Sequence, residues 1–554
     1  MITRQRVAVV TGGGGGIGGA IAEELGRGGW YVVTVDPLVT LDGSAQLPDS
    51  GDTTAGRIVG AGGSAQASPT SVTDGDAVHA LFRDLVDQHG GLDAVVNVAG
   101  ITRQSYFAEG TEEDWLALLS VHLGGYLNVL EAALPLMEAA GYGRILGVTS
   151  GSGWRAADAG GYSCAKRAVA ALTWQLGAVA PPGVTVNAMS PIANTRMVAA
   201  ALERARQAGR AGGGGGLSLN SMPGPEDLGP LGAHLVADEF GWCTGQVLFV
   251  GGSEVAIIDQ PRLLEVVRTD EVTSLSRVLQ SVIPRAFATA ESAQATNGAS
   301  NPRFGPIFEE VGAPSTPSEN VRSCAVVSDR EGMAASLAGA LEARSIACHR
   351  VEVGRDFGGA AAALKGVVDA VGPIDAIVTA LAGRDAVTSP IEPWQLVLAD
   401  HRGLIEELHT DAAWARAAAD YAAASDRAVQ LVMLTDATTS SGRSRAQASA
   451  QLARAAAAGS GKRVTAFAAG VEAPARDTGD SVGALVTHLL THPEASALAG
   501  AELAVGKGWI GLRRHPRPTG TVTYGGPAVP PWLDATLREM VGIGSHAPVP
   551  REAG

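Results

Sequence analysis

The chain is short of cysteine: four in 554 residues, Cys164, Cys243, Cys324 and Cys348, with no CxxC pair and no Cys/His ligand spacing. That rules against a disulfide framework and a zinc module, and a reducing compartment fits. Positive charge is scarce too, 41 Lys and Arg against 56 Asp and Glu, so a net charge of −15 leaves no electrostatic footprint for nucleic acid or an anionic membrane. No apolar run reaches the roughly 18 residues of a spanning helix. "MITRQRVAVVTGG" enters a strand-like segment with no signal-type apolar region before it. The expected setting is the cytoplasm, with small-molecule partners, no membrane and no nucleic acid. Aromatics contribute only 5%, whereas hydrophobic residues make up 46% and glycine fills 73 positions, which describes an Ala/Val/Gly-rich α/β protein rather than a disordered or fibrous one. At this length two large domains are expected, since single cores stop growing near about 250–300 residues.

What is present begins with the β-branched "RVAVV" (6–10), the glycine cluster "TGGGGGIGGA" (11–20) and the helix-like "AIAEELGRGG". Strand, turn and helix in that order make a phosphate-binding loop: glycines allow positive φ and close backbone approach, and the helix N-terminus stabilises a pyrophosphate. A flexible Gly-rich turn would look the same, so the next strand decides. "WYVVTVD" (30–36) ends in Asp36, where a carboxylate accepts hydrogen bonds from an adenosine ribose and repels a 2′-phosphate. NAD is therefore expected in preference to NADP, unless a basic residue folds over this edge. Strands at "AQASPTSV" (65–72) and "LDAVVNVAG" (92–100) alternate with the helical "DAVHALFRDLVDQHG" (76–90), which places the fold in the α/β class as a doubly wound parallel (Rossmann) sheet.

In "GYSCAKRA" (161–168), Tyr162 and Lys166 stand four apart, on one face if the segment is helical. An adjacent ammonium favours the phenolate, so a phenol of ordinary pKa near ~10 becomes able to exchange a proton at neutral pH. Strand "RILGVTS" (144–150) ends in Ser150, whose hydroxyl would hold a substrate oxygen beside that phenol. "SGSG" offers Ser152 as a rival, and the strand phase favours Ser150. An alcohol/ketone couple follows. A tyrosine four before a lysine is also an ordinary surface pair, and only context separates the two readings.

The context is a resemblance. "TGGGGGIG" (11–18), "NVAG" (97–100), "VTS" (148–150), "YSCAK" (162–166), "SPIANT" (190–195) and "CTGQVLFVGG" (243–252) make residues 1–260 resemble the short-chain dehydrogenase/reductase family. The resemblance implies that Gly12, Gly16, Ile17 and Gly18 hold the cofactor phosphates and Asp36 the adenosine ribose. It puts Ser71 and Val72 beside the adenine, with Ser71 in place of the family's usual acidic residue, and Asn97 and Gly100 on the other side of the cofactor. Pro191, Ile192 and Thr195 would frame the nicotinamide. Ser150, Tyr162 and Lys166 would be catalytic, the last two also touching the cofactor. The Ser150–Tyr162 loop is one residue shorter than in the family, and residues 197–225 occupy the place of its substrate lid. His122 stands where the family usually has an asparagine supporting a water relay to the lysine; a helix-interface histidine is the plain alternative. "VHLGG" (121–125), "SPIANTRM" (190–197) and "GQVLFVGGSEVAIIDQP" (245–261) resemble (3R)-hydroxyacyl-CoA dehydrogenases of multifunctional β-oxidation enzymes and related hydroxysteroid dehydrogenases. This implies interconversion of 3-hydroxyacyl and 3-oxoacyl thioesters with NAD. The alternatives are a hydroxysteroid or other secondary alcohol as substrate, and a non-catalytic NAD-binding scaffold.

Residues 284–320, rich in Pro, Ser, Ala and Asn without periodicity, read as a linker. The expected division is a catalytic domain over 1–260, an extension and linker over 261–320, a second domain over 321–512 and a tail over 513–554. Beyond the linker the first-half pattern recurs in order. "SCAVVSD" (323–329) echoes "RVAVVTG", "GPIDAIVTALAG" (372–383) echoes "GGLDAVVNVAG", "WQLVLADHRG" (394–403) echoes "WLALLSVHLG" (115–124), and "LVMLTDATTSSG" (431–442) echoes "ILGVTSGSG". Collinear echoes indicate a duplicated fold, hence tandem Rossmann domains. The chemistry is not repeated. "SDREGM" (328–333) has one glycine, and its Asp329 and Glu331 would repel a pyrophosphate; Asp436 stands at the serine position, and "RAQASAQLARA" (445–455) lacks the Tyr/Lys pair. The second copy is expected to be non-catalytic and to buttress the first as a pseudo-dimer, with two chains forming a homodimer that mimics a tetramer.

Overall fold

The computed structural model describes residues 4–48, 51–104, 106–154, 159–207, 222–268, 282–286, 321–383 and 391–544. The first half contributes β1 (Val7–Thr11), β2 (Tyr31–Val35), β3 (Ser64–Ser68), β4 (Ala94–Asn97), β5 (Gly143–Val148), β6 (Val184–Pro191), β7 (Val247–Gly251) and β8 (Glu254–Asp259), followed by β9 (Leu263–Arg268). The second contributes β10 (Ser323–Val327), β11 (Ala347–Val351), β12 (Ala376–Leu381), β13 (Val429–Asp436), β14 (Val464–Val471), β15 (Glu502–Gly506), β16 (Trp509–Arg513) and β17 (Arg517–Thr523). Apolar strands such as "VAVVT" in β1 are buried at every position because helices cover both sheet faces.

The first sheet runs β17-β8-β7-β6-β5-β4-β1-β2-β3, parallel from β3 to β7. The second runs β11-β10-β12-β13-β14-β15-β16-β9 and repeats this winding without a counterpart of β3. These are the tandem doubly wound sheets that the echoes predict. The strand order reverses beside β1 in one sheet and beside β10 in the other, which opens a crevice at the C-terminal strand ends.

The domain division needs a correction. β9, placed by sequence in the extension, pairs antiparallel with β16 of the second sheet, and β17, placed in the tail, pairs antiparallel with β8 of the first. Each copy's last strand thus completes the other copy's sheet. The tail also packs on its own chain: Leu533 and Leu537 of the Leu533–Gly544 helix share a core with Ile21 and Leu231. Alternation along a strand states which face is apolar and not which strand lies beside it, so the exchange left no local signal. Most of the predicted linker, 287–320, lies outside the described residues.

The two halves share one core. Trp115, Leu119, Leu123 and Leu127 belong to the same cluster as Trp394, Val397, Leu408, Ala448 and Leu452. Among the described residues one helical segment, Glu112–Ala140, does have the length and composition to cross a membrane, which the sequence reading did not expect. Yet 61% of its apolar window is buried inside the protein, the position of a core helix.

Expressed alone, residues 1–283 are expected to aggregate, because β8 loses its partner and the shared core loses its other side. A soluble, monodisperse truncation on size-exclusion chromatography would overturn that interdependence.

Candidate active site

The residues selected from the first half cluster at the C-terminal strand ends, on the edge where the strand order reverses. Gly12 and Gly16 have φ of +65° and +57°. A Cβ on Gly12 would come within 2.9 Å of the Ala99 amide, and one on Gly18 within 2.4 Å of the Gly12 carbonyl, so neither position has room for a side chain. Ile17, by contrast, packs its side chain on the core beneath the turn. The helix Gly16–Arg27 begins without a side-chain cap, and a Cβ on Gly16 would meet nothing within 4 Å. Uncapped N–H groups facing open space fit a dinucleotide pyrophosphate. One cation attends this space: the Arg196 guanidinium lies 3.7 Å from where a Gly15 Cβ would sit. Sequence reasoning missed Arg196, although it directly follows Thr195 in the quoted "SPIANTRM".

Asp36 directly follows β2, with one carboxylate oxygen accepting from Gly14 N–H at 3.1 Å and the other from Leu38 N–H at 2.9 Å. Ser71 Oγ lies 2.8 Å from Thr73 Oγ1, and the carbonyl of buried Val72 accepts from Asn128 at 2.8 Å. Asn97 is buried and its Oδ1 accepts from Thr11 Oγ1 at 2.7 Å, bracing β1 against β4. Pro191 closes β6, Ile192 N–H donates to Val250 at 2.9 Å, and Thr195 Oγ1 accepts from Val198 N–H at 3.2 Å to open the helix Arg196–Gln207. Of the lid region, 208–221 lie outside the described residues.

Tyr162 and Lys166 stand one turn apart on the helix Gly160–Gly177. Lys166 Nζ lies 5.8 Å from the Tyr162 ring centroid and donates to the Val148 carbonyl at 2.7 Å. Thr149 Oγ1 donates to the Lys166 carbonyl at 2.6 Å, tying that helix to the end of β5. Two residues beyond Val148, Ser150 caps the short turn Gly151–Gly153, its Oγ accepting from Ser152 N–H at 3.2 Å, which leaves its O–H available to a substrate oxygen. Burial pushes the Lys166 ammonium down to about 7.

His122 sits in a π-helical turn, Ser120–Gly124, with its ring edge-on to Tyr162 at 5.0 Å between centroids. Its Nε2 lies 2.9 Å from the Ile101 carbonyl, which only accepts, so Nε2 carries the proton and Nδ1 is left as an acceptor without a partner among the described residues. Burial, and then the charge of Lys166, hold this imidazole well below its ordinary value, so it is neutral. Gly100 makes room for it: a Cβ there would lie 2.5 Å from His122 Cε1.

The second crevice is filled differently. Asp329 accepts from Ala382 N–H at 2.7 Å and pairs with Arg355 at 3.1 Å, while Arg330 pairs with Asp436 at 2.9 Å. Arg445 makes a two-pronged pair with Asp411, at 2.7 and 2.8 Å. A carboxylate, Asp329, therefore stands where the first half has bare glycine backbone. His401 keeps the spacing of His122 but donates from Nδ1 to Val397 at 2.7 Å and accepts at Nε2 from Ser444 at 2.8 Å; Ser444 in turn accepts from Gln175 of the first half at 2.9 Å. The echoed histidine braces the joint between the halves.

A family model described as short chain dehydrogenase matches residues 6–206. The 3-oxoacyl-[acyl-carrier-protein] reductase of Vibrio cholerae is 32% identical over 250 residues, covering 45% of this chain and 96% of that protein. The peroxisomal hydratase-dehydrogenase-epimerase of Neurospora crassa is 30% identical over 256 residues, 45% of this chain and 26% of the relative. A solved N-domain of a bacterial malonyl-CoA reductase, with NADP, superposes with a TM-score of 0.63 over 88% of this chain and 96% of its own; at 15% identity this likeness is one of fold, and it extends across both halves.

Gly100→Ala is expected to cost about 1–3 kcal/mol by overpacking the His122 ring, and less in a His122→Ala background. Urea denaturation of the double-mutant cycle measures this, and additive costs would show that the two residues do not meet. Because Lys166 titrates at about 7 when folded and near ~10.4 when unfolded, the unfolded chain binds more protons between those values, and stability should rise with pH across that window. Lys166→Met should flatten that rise in denaturation curves taken between pH 7 and 10.

Proposed function

The chain belongs to the short-chain dehydrogenase/reductase family, oxidoreductases that act on CH–OH groups with a nicotinamide dinucleotide, and from that premise we propose that residues 1–260 interconvert 3-hydroxyacyl and 3-oxoacyl thioesters with NAD. One observation carries the reading: the Tyr162 ring lies against both His122 and Lys166, on a helix tied to the strand end that bears Ser150. A bound nicotinamide supplies or accepts the hydride. Ser150 O–H holds the substrate oxygen, and Tyr162 Oη gives it a proton in reduction or takes one in oxidation. Lys166, titrating near neutrality, stabilises the phenolate that results. Neutral His122 packs edge-on against the Tyr162 ring. An apolar bed of Trp154, Ile192 and Met222, with Val198 and Leu202 packed on it, suits an acyl chain.

Asp36 supports NAD: its carboxylate lies on the glycine turn, and among the described residues no ion pair neutralises it against a 2′-phosphate. Arg196 would meet the pyrophosphate above Gly15. The name of the Vibrio relative, a 3-oxoacyl-[acyl-carrier-protein] reductase, agrees with an acyl-chain substrate. The proposal includes a cytoplasmic setting, on the cysteine usage, and a homodimer of two-domain chains.

The reading is tested by following nicotinamide absorbance with acetoacetyl-CoA and NADH or NADPH, alongside a panel of steroid ketones. Tyr162→Phe should lower kcat by about 10²- to 10⁴-fold with NADH binding retained. Turnover of steroids alone would move the reading to a hydroxysteroid dehydrogenase; cofactor binding with no turnover that Tyr162→Phe changes would leave a scaffold. Asp36→Ala should narrow the preference for NADH over NADPH.

A further inference from the structure

We infer that the second half positions the serine loop of the first: Gln451 and Arg454, on the helix Ser440–Gly459, hold the carbonyls of Ser152 and Trp154 and so set where Ser150 presents its hydroxyl. Gln451 Nε2 donates to Ser152 at 3.1 Å and Arg454 Nη1 to Trp154 at 2.8 Å, from 299 and 300 residues further along the chain. The two donors also hold each other, Arg454 Nη1 lying 3.3 Å from Gln451 Oε1, and Gln451 is buried.

The segment they grip has little stiffness of its own. Gly151–Gly153 is a single 3-10 turn with glycine at both ends, closed by Gly153 N–H to Ser150 at 2.9 Å and Trp154 N–H to Gly151 at 3.0 Å. Ser150 Oγ caps the same turn through Ser152 N–H. Fixing the carbonyls of Ser152 and Trp154 therefore fixes the peptide that orients Ser150. The turn also lies directly on the tyrosine helix, since a Cβ on Gly153 would come within 2.9 Å of Arg167 N. Arg167 is itself held from the second half by buried Glu502 at 2.6 Å, one residue after Lys166. Trp154 extends the grip to the apolar bed it shares with Ile192 and Met222. Gln451 and Arg454 are thus positioning residues that act through the backbone of the loop.

The inference rests on the proposed role of Ser150 and is tested in the full-length chain with Gln451→Met, which keeps the length and removes the donor without adding a charge, and Arg454→Ala. Arg454→Lys is the conservative rescue, and Arg402→Ala, which breaks the exposed pair with Glu131 across the same joint, is the control. With acetoacetyl-CoA and NADH, Gln451→Met and Arg454→Ala should lower kcat about ten- to a hundredfold with KM for NADH moving less than about twofold. Melting temperature should hold, amide exchange should quicken in a peptide spanning 145–154, and Arg454→Lys should restore both exchange and kcat. Wild-type exchange rates in that peptide, or a kcat loss tracking the melting temperature or shared by Arg402→Ala, would overturn the inference. A wild-type chain inert toward acetoacetyl-CoA would count against the substrate reading alone, and the exchange measurement would still decide the clamp.

Discussion

The helix Gly160–Gly177 is buried around almost its whole circumference, and a helix with no solvent face needs partners on every side. One side carries Tyr162 and Lys166 at the first crevice. Another meets the helix Ser440–Gly459, where small residues such as Ala168 on one helix and Ala448 and Ala455 on the other lie in a common core. This burial is what strips water from Lys166 and brings its ammonium toward neutrality. It also leaves Arg167 dependent on Glu502: burial pushes the guanidinium down and the carboxyl up, each opposed by its partner. Such a pair adds little net stability, but losing either member strands a charge in the core.

Given that shared helix packing, the copies were free to diverge wherever the packing did not reach. Crevice positions differ in their chemistry. Bare glycine turns in the first half leave room for a dinucleotide, whereas in the second crevice Asp329 accepts from Ala382 N–H and Arg330 pairs with Asp436. Positions at the joint kept their spacing and altered their bonding. His122 donates to a loop carbonyl beside the tyrosine; His401, held down to about 4 by burial, links to Ser444 and through it to Gln175. The same residue serves the crevice in one copy and the interface in the other.

The exchanged strands β9 and β17 lock this arrangement. Each sheet is completed by chain from the other repeat, so neither has its full complement of edge pairing without the whole chain. Buried Arg514, beside β17, pairs with Asp259 at the end of β8, close to where the two crossing segments pass. A duplicated enzyme joined only by a linker could lose one copy; one with interleaved strands and a shared core cannot do so without exposing sheet edge and apolar surface.

Several features were readable from residues alone because their signals are local. The apolar strands, the glycine turn after β1, the carboxylate after β2, the one-turn Tyr162/Lys166 spacing and the collinear echoes all lie within segments a few residues long, where periodicity and backbone requirements act. They determined the tandem fold and which copy keeps the glycine turn and the Tyr162/Lys166 pair. Tertiary structure decided the rest: which sheet receives β9 and β17, that Arg196 reaches the glycine turn, that Asn97 braces β1 to β4, and that Gln451 and Arg454 reach the loop of Ser150. The reason is the same in each case. A strand's alternation does not name its neighbour, and a polar side chain does not reveal an acceptor hundreds of residues away until packing has brought the two together.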